Sequence, residues 1–267
     1  MADDRERSIA EKVAVVTGGA SGIGRATAIL MAEQGASVAL FDIERESVTD
    51  AADEIVSLGG KARGWVADVT DSAGAAAAIS EASSLFGPID ILVNCAGMAV
   101  ICPIESENYE AAWNRALAVH LTGTMQMIRL CLDDLVRSGA GRVVNVSSTE
   151  GHGGTAGTSP YSVAKHGVIG LTRSFAVELA PRGVLVNCVS PGPIHTGVTS
   201  RIPENDKARF AQRYVPVGRY GEPREVAHMI LSLCLPASSY VTGAVLPIDG
   251  GMLAQLQPSA IRKSPAL

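Results

Sequence analysis

Seven short apolar runs recur along this chain, with helix-length segments between them. Lys12-Val-Ala-Val-Val-Thr17 and Ser37-Val-Ala-Leu-Phe-Asp42 show the pattern; similar runs cover 61–66, 89–94, 142–147, 184–189 and 244–248. A strand with one wet face alternates apolar and polar residues, whereas a near-continuous run needs cover on both faces. Between the runs, helical periodicity spans 22–34, 46–58, an Ala-rich 72–86 and a long 109–136, and another helix opens at Pro160. Strands alternating with helices imply an α/β chain with a parallel sheet. The expectation is one doubly wound, Rossmann-type domain with a seven-stranded parallel sheet and helices on both faces. A chain of 267 residues with 47% hydrophobic content can bury such a core, and no linker or internal repeat divides it. The catalytic domain is expected over 11–253, between mobile tails at 1–10 and 254–267.

The first run leads directly into Thr17-Gly-Gly-Ala-Ser-Gly-Ile-Gly24. Gly18, Gly22 and Gly24 allow a sharp turn and a close approach of backbone to ligand. The helix starting there aims unpaired N–H groups and its positive dipole end at a pyrophosphate. A plain tight turn is the alternative. Ser21 belongs to the same loop, and Ile23 is placed to pack beneath the cofactor. Asp42 closes the second strand about twenty residues further on, where a carboxylate accepts hydrogen bonds from both adenosine ribose hydroxyls and repels a 2′-phosphate. With Ile43 next and no cation in the glycine loop, the pattern favours NAD over NADP; Arg45 is the one nearby charge that softens this. Asp68 and Val69, ending the third strand, are candidates for the adenine, with a helix cap as the other reading of Asp68.

The stretch Ser148 to Lys165 brings a strand end, a loop rich in Gly, Ser and Thr, and a helix start together. Tyr161 and Lys165 lie four apart, on one face of that helix. A phenol with an ordinary pKa of about 10 is a weak base at neutral pH. A nearby ammonium favours the phenolate, so Tyr161 becomes a candidate proton acceptor and Ser148 a donor to the same substrate oxygen. The plain alternative is a packed tyrosine and a solvated lysine.

A net charge of −5 with no basic block argues against nucleic acid. No apolar signal core or membrane-length run is present, which reads as a soluble cytoplasmic protein without membrane association. Cys95, Cys102, Cys131, Cys188 and Cys234 are scattered among apolar neighbours and read as buried thiols. The five histidines show no metal-ligand spacing, so no metal is expected.

Taken together, Thr17-Gly-x-x-x-Gly-x-Gly24, Asp68, Asn94-x-Ala-Gly97, Ser148, Tyr161-x-x-x-Lys165, Asn187, Pro191-Gly192-x-x-x-Thr196 and Ile248-Asp-Gly-Gly251 resemble the short-chain dehydrogenase/reductase family over about residues 10–252. The resemblance implies a Tyr161 acid/base, an orienting Ser148, a Lys165 that binds the nicotinamide ribose, and hydride transfer at C4 of the nicotinamide. It puts Pro191, Gly192, Ile194 and Thr196 beside the nicotinamide, and Asn94, Ala96 and Gly97 along the adenosine and ribose. It also implies a homotetramer built from paired long helices.

Two positions depart from the family pattern. Cys95 replaces a second Asn, and His120 stands where a helical Asn holds a water of the proton relay. An imidazole both donates and accepts, so His120 is expected to keep an altered relay; a packed helix residue is the alternative. The segment 197–214 is expected to form a lid. Glu150, His152, Pro193, His195, Ile202 and Phe210 are the substrate candidates. The expected activity is NAD-linked interconversion of a secondary alcohol and a ketone, on a cyclic or medium-sized small molecule. The rivals are an NADP-linked ketone or 3-oxoacyl reductase, and a non-catalytic NAD-binding regulator.

Overall fold

The structure, a computed structural model, describes residues 4–256. Seven strands form one sheet in the order β3-β2-β1-β4-β5-β6-β7, with every neighbouring pair parallel. They are β1 (Val13–Thr17), β2 (Ser37–Asp42), β3 (Lys61–Val66), β4 (Ile91–Asn94), β5 (Arg142–Val146), β6 (Leu185–Pro191) and β7 (Val245–Ile248). Successive side chains of a strand point to opposite faces, and β1 divides accordingly. Ala14 and Val16 enter a core shared with α1 (Gly22–Glu33), α2 (Arg45–Ser57) and α8 (Pro223–Cys234). Val13 and Val15 enter a second core with α3 (Ser72–Phe86), α5 (Gly123–Arg137) and α6 (Ser159–Leu179). Both faces of the central strands are therefore dry, as the continuous apolar runs require.

The two edges behave differently. In β3 only Trp65 is buried, held edge-on by Phe41 and Phe86 with ring centroids 5.9 and 6.1 Å away. Gly64 gives α2 room to lie against this edge, since a Cβ there would stand 2.6 Å from the Val48 carbonyl oxygen. At the opposite edge β7 carries Pro247, which lacks an N–H and is compatible with an edge strand.

Within 197–214, where loops and short helices are expected, Glu204–Tyr214 forms a helix, α7. Three features differ from the sequence expectations. The helix expected over 109–136 is α4 (Tyr109–Ala116), a π-helical turn at Leu117–Thr122, and α5. Such turns rotate the side chains that follow them and often occur at functional sites. The sequence reading had no counterpart for α8, although Glu222-Pro-Arg-Glu225 forms a capping box at its start. Lastly, residues 4–10 are not a loose tail: Asp4–Arg7 makes a 3-10 turn and Ile9 is 1% exposed in the core. Past 253, Gln255 donates to the Tyr214 carbonyl at 2.5 Å. The rest of the expected tails, 1–3 and 257–267, lies outside the described residues. No described helix is long and apolar enough to cross a membrane.

α8 packs along α1, and its Val226, Ala227 and Ile230 are completely buried. Truncating Ile230 to alanine removes apolar atoms and leaves a cavity, at an expected loss of about 2–5 kcal/mol. Chemical denaturation of Ile230→Ala measures this, and a loss below about 1 kcal/mol would show that α8 is not part of the core.

Candidate functional site

The strand order reverses between β1 and β4, so the loops leaving their carboxyl ends part there and open a crevice. A cleft of about 790 Å³ occupies this place and continues past the ends of β5 and β6. The glycine loop forms its floor. Gly18 and Gly22 have φ of 63° and 52°, in the left-handed region that favours glycine. A Cβ on Gly18 would lie 2.9 Å from the Ala96 Cα, and one on Gly24 would lie 2.1 Å from the Gly18 carbonyl oxygen. The Thr17 hydroxyl accepts from the backbone N–H groups of Cys95 and Ala96, both at 3.1 Å, and ties the β1 and β4 loops together. Ser21 precedes α1 without a side-chain cap, so the first-turn N–H groups of α1 lack a side-chain acceptor. Glycine backbone at Gly18, Gly22 and Gly24 and the uncapped helix start together suit the pyrophosphate of a dinucleotide.

Ser21, Ile23, Asp42, Ile43, Asp68 and Val69 all line the cleft. The Asp42 carboxylate accepts from Ala20 N–H at 3.1 Å and from Ile43 N–H at 2.8 Å, which fixes its orientation while leaving further lone pairs. Asp68 accepts from the Thr70 N–H and hydroxyl at 2.8 and 2.7 Å. The cap of α3 is Asp71, whose side chain accepts from Ala73 N–H at 3.1 Å, so the cap reading of Asp68 does not hold. Ala96 and Gly97 line the cleft, but the Asn94 side chain does not. Asn94 is 5% exposed and donates to Asn145 at 2.9 Å, and Asn145 donates to the Thr172 hydroxyl at 3.0 Å. Its side chain thus links β4, β5 and α6 beneath the groove. Pro191, Gly192, Ile194 and Thr196 border the far wall, and Thr196 packs over the glycine loop.

Ser148, Tyr161 and Lys165 meet at the inner end of the cleft. Ser148 follows β5 and opens a 3-10 turn, Thr149–Gly151, its hydroxyl accepting from Glu150 N–H at 3.2 Å. Tyr161 is in the first turn of α6 and Lys165 one turn later. The Lys165 ammonium is buried, donates to the Val146 carbonyl at 2.8 Å, and stands 5.5 Å from the Tyr161 ring centroid. Burial brings its pKa down to about 8. The sequence suggested that this ammonium lowers the phenol pKa. In the ligand-free cleft the phenol lies above its ordinary value instead: burial raises it, Ser148 pulls it down, and the charge of Glu150 raises it again. Desolvation of the phenolate outweighs the other influences there.

His120 lies in the π turn, 2% exposed, with its ring edge-on to Tyr161 at 5.1 Å between centroids. Its Nε2 is 3.0 Å from the Met98 carbonyl oxygen, and Nδ1 has no partner among the described residues. Gly97 makes room for the ring, since a Cβ there would stand 2.8 Å from Cε1. Burial, followed by the Lys165 charge, drives the imidazole pKa down to about 3.

Of the substrate candidates, Glu150 and Pro193 border the cleft, while His152, His195, Ile202 and Phe210 do not. His152 bonds the Ser190 hydroxyl at 2.9 Å. His195 and Phe210 pack on Tyr220, with centroids 5.2 and 6.2 Å away. Sequence reasoning missed Met98, Val100, Ile101, Arg115, Val198 and Thr199, which line the cleft from loops and a helix face. Loop side chains carry no periodic signal to find them by. Among the described residues no three metal-binding side chains gather.

Residues 18–253 match the enoyl-(acyl carrier protein) reductase family. The chain is 44% identical to a cis-4-hydroxycyclohexanecarboxylate dehydrogenase of Sinomonas cyclohexanicum, over 92% of this chain and 98% of that protein. It is 39% identical to a 3-oxoacyl-[acyl-carrier-protein] reductase of Thermotoga maritima, over 91% and 98%. A crystal structure of a short-chain type dehydrogenase/reductase from Mycobacterium marinum superposes with a TM-score of 0.88 at 32% identity, covering 94% of this chain and 99% of that one.

The depressed His120 pKa sets an acid limit to stability. The unfolded chain takes up this proton below about pH 6.5, whereas the folded one does so only near pH 3. The contribution is therefore whole above about pH 6.5 and declines as pH falls, by about 1.4 kcal/mol per unit. His120→Asn is expected to flatten the stability profile between about pH 6.5 and 5 by roughly one proton, measured by denaturant titration at each pH. A slope equal to that of the unsubstituted protein would contradict the buried neutral imidazole.

Proposed function

We propose, from the premise that the chain belongs to the short-chain dehydrogenase/reductase family, that it interconverts a secondary alcohol and a ketone with NAD. Membership makes it an oxidoreductase; the alcohol and the cofactor preference are our reading. The observation that carries it is the meeting of Ser148, Tyr161 and Lys165 in the same cleft as the glycine loop. Gly18 to Gly24 with the start of α1 would hold the pyrophosphate, Asp42 the adenosine ribose, and Lys165 the nicotinamide ribose. When bound, the nicotinamide supplies the hydride acceptor or donor.

The protein supplies the rest. Ser148 donates to the substrate oxygen and fixes it within reach of Tyr161. In oxidation the phenolate takes the hydroxyl proton as the carbon gives up hydride; in reduction the phenol returns it. Lys165, anchored to Val146, holds a positive charge beneath the ring and steadies the helix that carries it. His120 keeps a neutral imidazole beside the phenol, its Nδ1 buried and without a partner among the described residues. Met98, Val100, Ile101, Ile194 and Val198 give the cleft apolar walls, suited to a ring-shaped alcohol. The similarity to a dehydrogenase of a hydroxycyclohexane acid supports that class.

The similarity to a 3-oxoacyl-[acyl-carrier-protein] reductase favours a second reading, reduction of an acyl-carrier thioester with NADP. Asp42 speaks against it, because a carboxylate lining the cleft at the end of β2 would repel a 2′-phosphate bound beside it. kcat/KM is expected to favour NAD over NADP by at least about tenfold, and Asp42→Ala to narrow the ratio; preference for NADP in the unsubstituted enzyme would overturn this assignment. Tyr161→Phe is expected to lower kcat on cyclic secondary alcohols by about 10²-fold or more while NADH still binds, measured by NADH absorbance and fluorescence titration. A variant with near wild-type kcat would end the mechanism.

A further inference from the structure

Glu150 is adjacent to the proposed catalytic groups, yet its carboxylate oxygens are turned to the protein. They accept from the hydroxyls of Thr155 at 2.5 Å, Thr158 at 3.1 Å and Ser162 at 2.6 Å. Ser162 is the residue after Tyr161, so one of these bonds reaches the first turn of α6 directly. The backbone N–H of Glu150 donates to Ser148 at 3.2 Å. Elsewhere the loop is held by the His152–Ser190 bond at 2.9 Å and by the Cys102 N–H donating to the Gly157 carbonyl at 2.7 Å, while Gly153 and Gly154 between these points have open space where a side chain would be. Among the described residues, no salt bridge neutralises this carboxylate.

We propose that Glu150 is a positioning residue at this site: its carboxylate ties the loop to α6 so that the Ser148 hydroxyl faces the substrate, and its negative charge, one residue from Tyr161 through Ser162, adds to the preference of the empty cleft for a protonated phenol. This rests on the assignment of Tyr161 as proton carrier made above. The serine argument is one of bonding capacity. With the Glu150 N–H on one lone pair of Ser148, the hydroxyl proton remains free for an acceptor in the cleft. The charge argument follows from what surrounds the phenol. Its own helix offers the Lys165 ammonium, 5.5 Å from the ring centroid; the π turn offers His120, held neutral; the 3-10 turn offers Glu150, the one negative charge of the three. Burial is the larger cause of the raised phenol pKa, and Glu150 is the charge that adds to it.

Glu150→Gln keeps partners for the three hydroxyls and removes the charge, whereas Glu150→Ala removes both. In the ligand-free protein, tyrosinate absorbance measured against Tyr161→Phe follows this one phenol. With Glu150→Gln its titration is expected to move down by about one pH unit, as is the acid limb of kcat/KM for alcohol oxidation, each normalised to its own plateau. With Glu150→Ala, kcat is expected to fall about tenfold or more, and amide exchange across 149–158 to quicken. An unmoved titration and acid limb in Glu150→Gln would remove the charge role. Wild-type kcat and exchange in Glu150→Ala would remove the clamp. If Glu150→Ala does not fold, exchange across 149–158 in Glu150→Gln carries that arm: wild-type protection supports the clamp, and lost protection with the hydroxyl partners retained refutes it. An active Tyr161→Phe enzyme would defeat the functional reading itself, whereas an inactive one with an unmoved Glu150→Gln profile and wild-type kcat and exchange in Glu150→Ala defeats this inference alone.

Discussion

The bond from the buried Lys165 ammonium to the Val146 carbonyl joins the end of β5 to the second turn of α6. An ammonium without a partner in that position would carry a heavy desolvation cost, so the bond fixes where α6 lies against the sheet. The Ser147 hydroxyl donates to the Lys165 carbonyl at 2.9 Å and makes the same connection through the backbone. Gly151 fits only because it lacks a side chain, since a Cβ there would meet both Ser147 and Lys165. Ser148 and Tyr161 come within reach of each other because the segments holding them are locked at this point.

The electrostatics of the site differ from what the spacing of Tyr161 and Lys165 alone suggests. Four residues apart on a helix, the pair reads as a phenol made acidic by an ammonium. Burial acts on both groups in the opposite sense, disfavouring the phenolate and the ammonium alike, and Glu150 adds to the effect on the phenol. The ligand-free protein therefore holds a neutral phenol beside a weakened cation. Such a site is quiet when empty and depends on the charge of what binds.

Much of the site was legible because its signals are local. The glycine loop, Asp42 at a strand end and the Tyr161–Lys165 spacing each lie within a few residues of one element, and they line one cleft. His120 was recognised as a departure, but its neutrality is not in the sequence, because it comes from α6, the Met98 loop and the π turn closing around the ring. Asn94 was read as facing the groove. Pleating turns it below, where its amide donates to Asn145, which in turn donates to Thr172. His152, His195 and Phe210 have suitable chemistry, but their loops and helix direct them to other partners, and Ile202 lies exposed outside the cleft.

The order of apolar runs and helices by itself determined a parallel, doubly wound sheet and the place of its nucleotide loop, since strand burial and backbone reach follow from neighbouring residues. α8 escaped notice because its apolar stripe lies close behind the segment 197–214, and its packing on α1 is a contact between distant parts of the chain. Only the tertiary structure decided which polar groups face the cleft and which charges they feel there. Proton affinity depends on solvent exclusion and on through-space distances between side chains from β5, the π turn and α6, and neither quantity is carried by spacing along the chain.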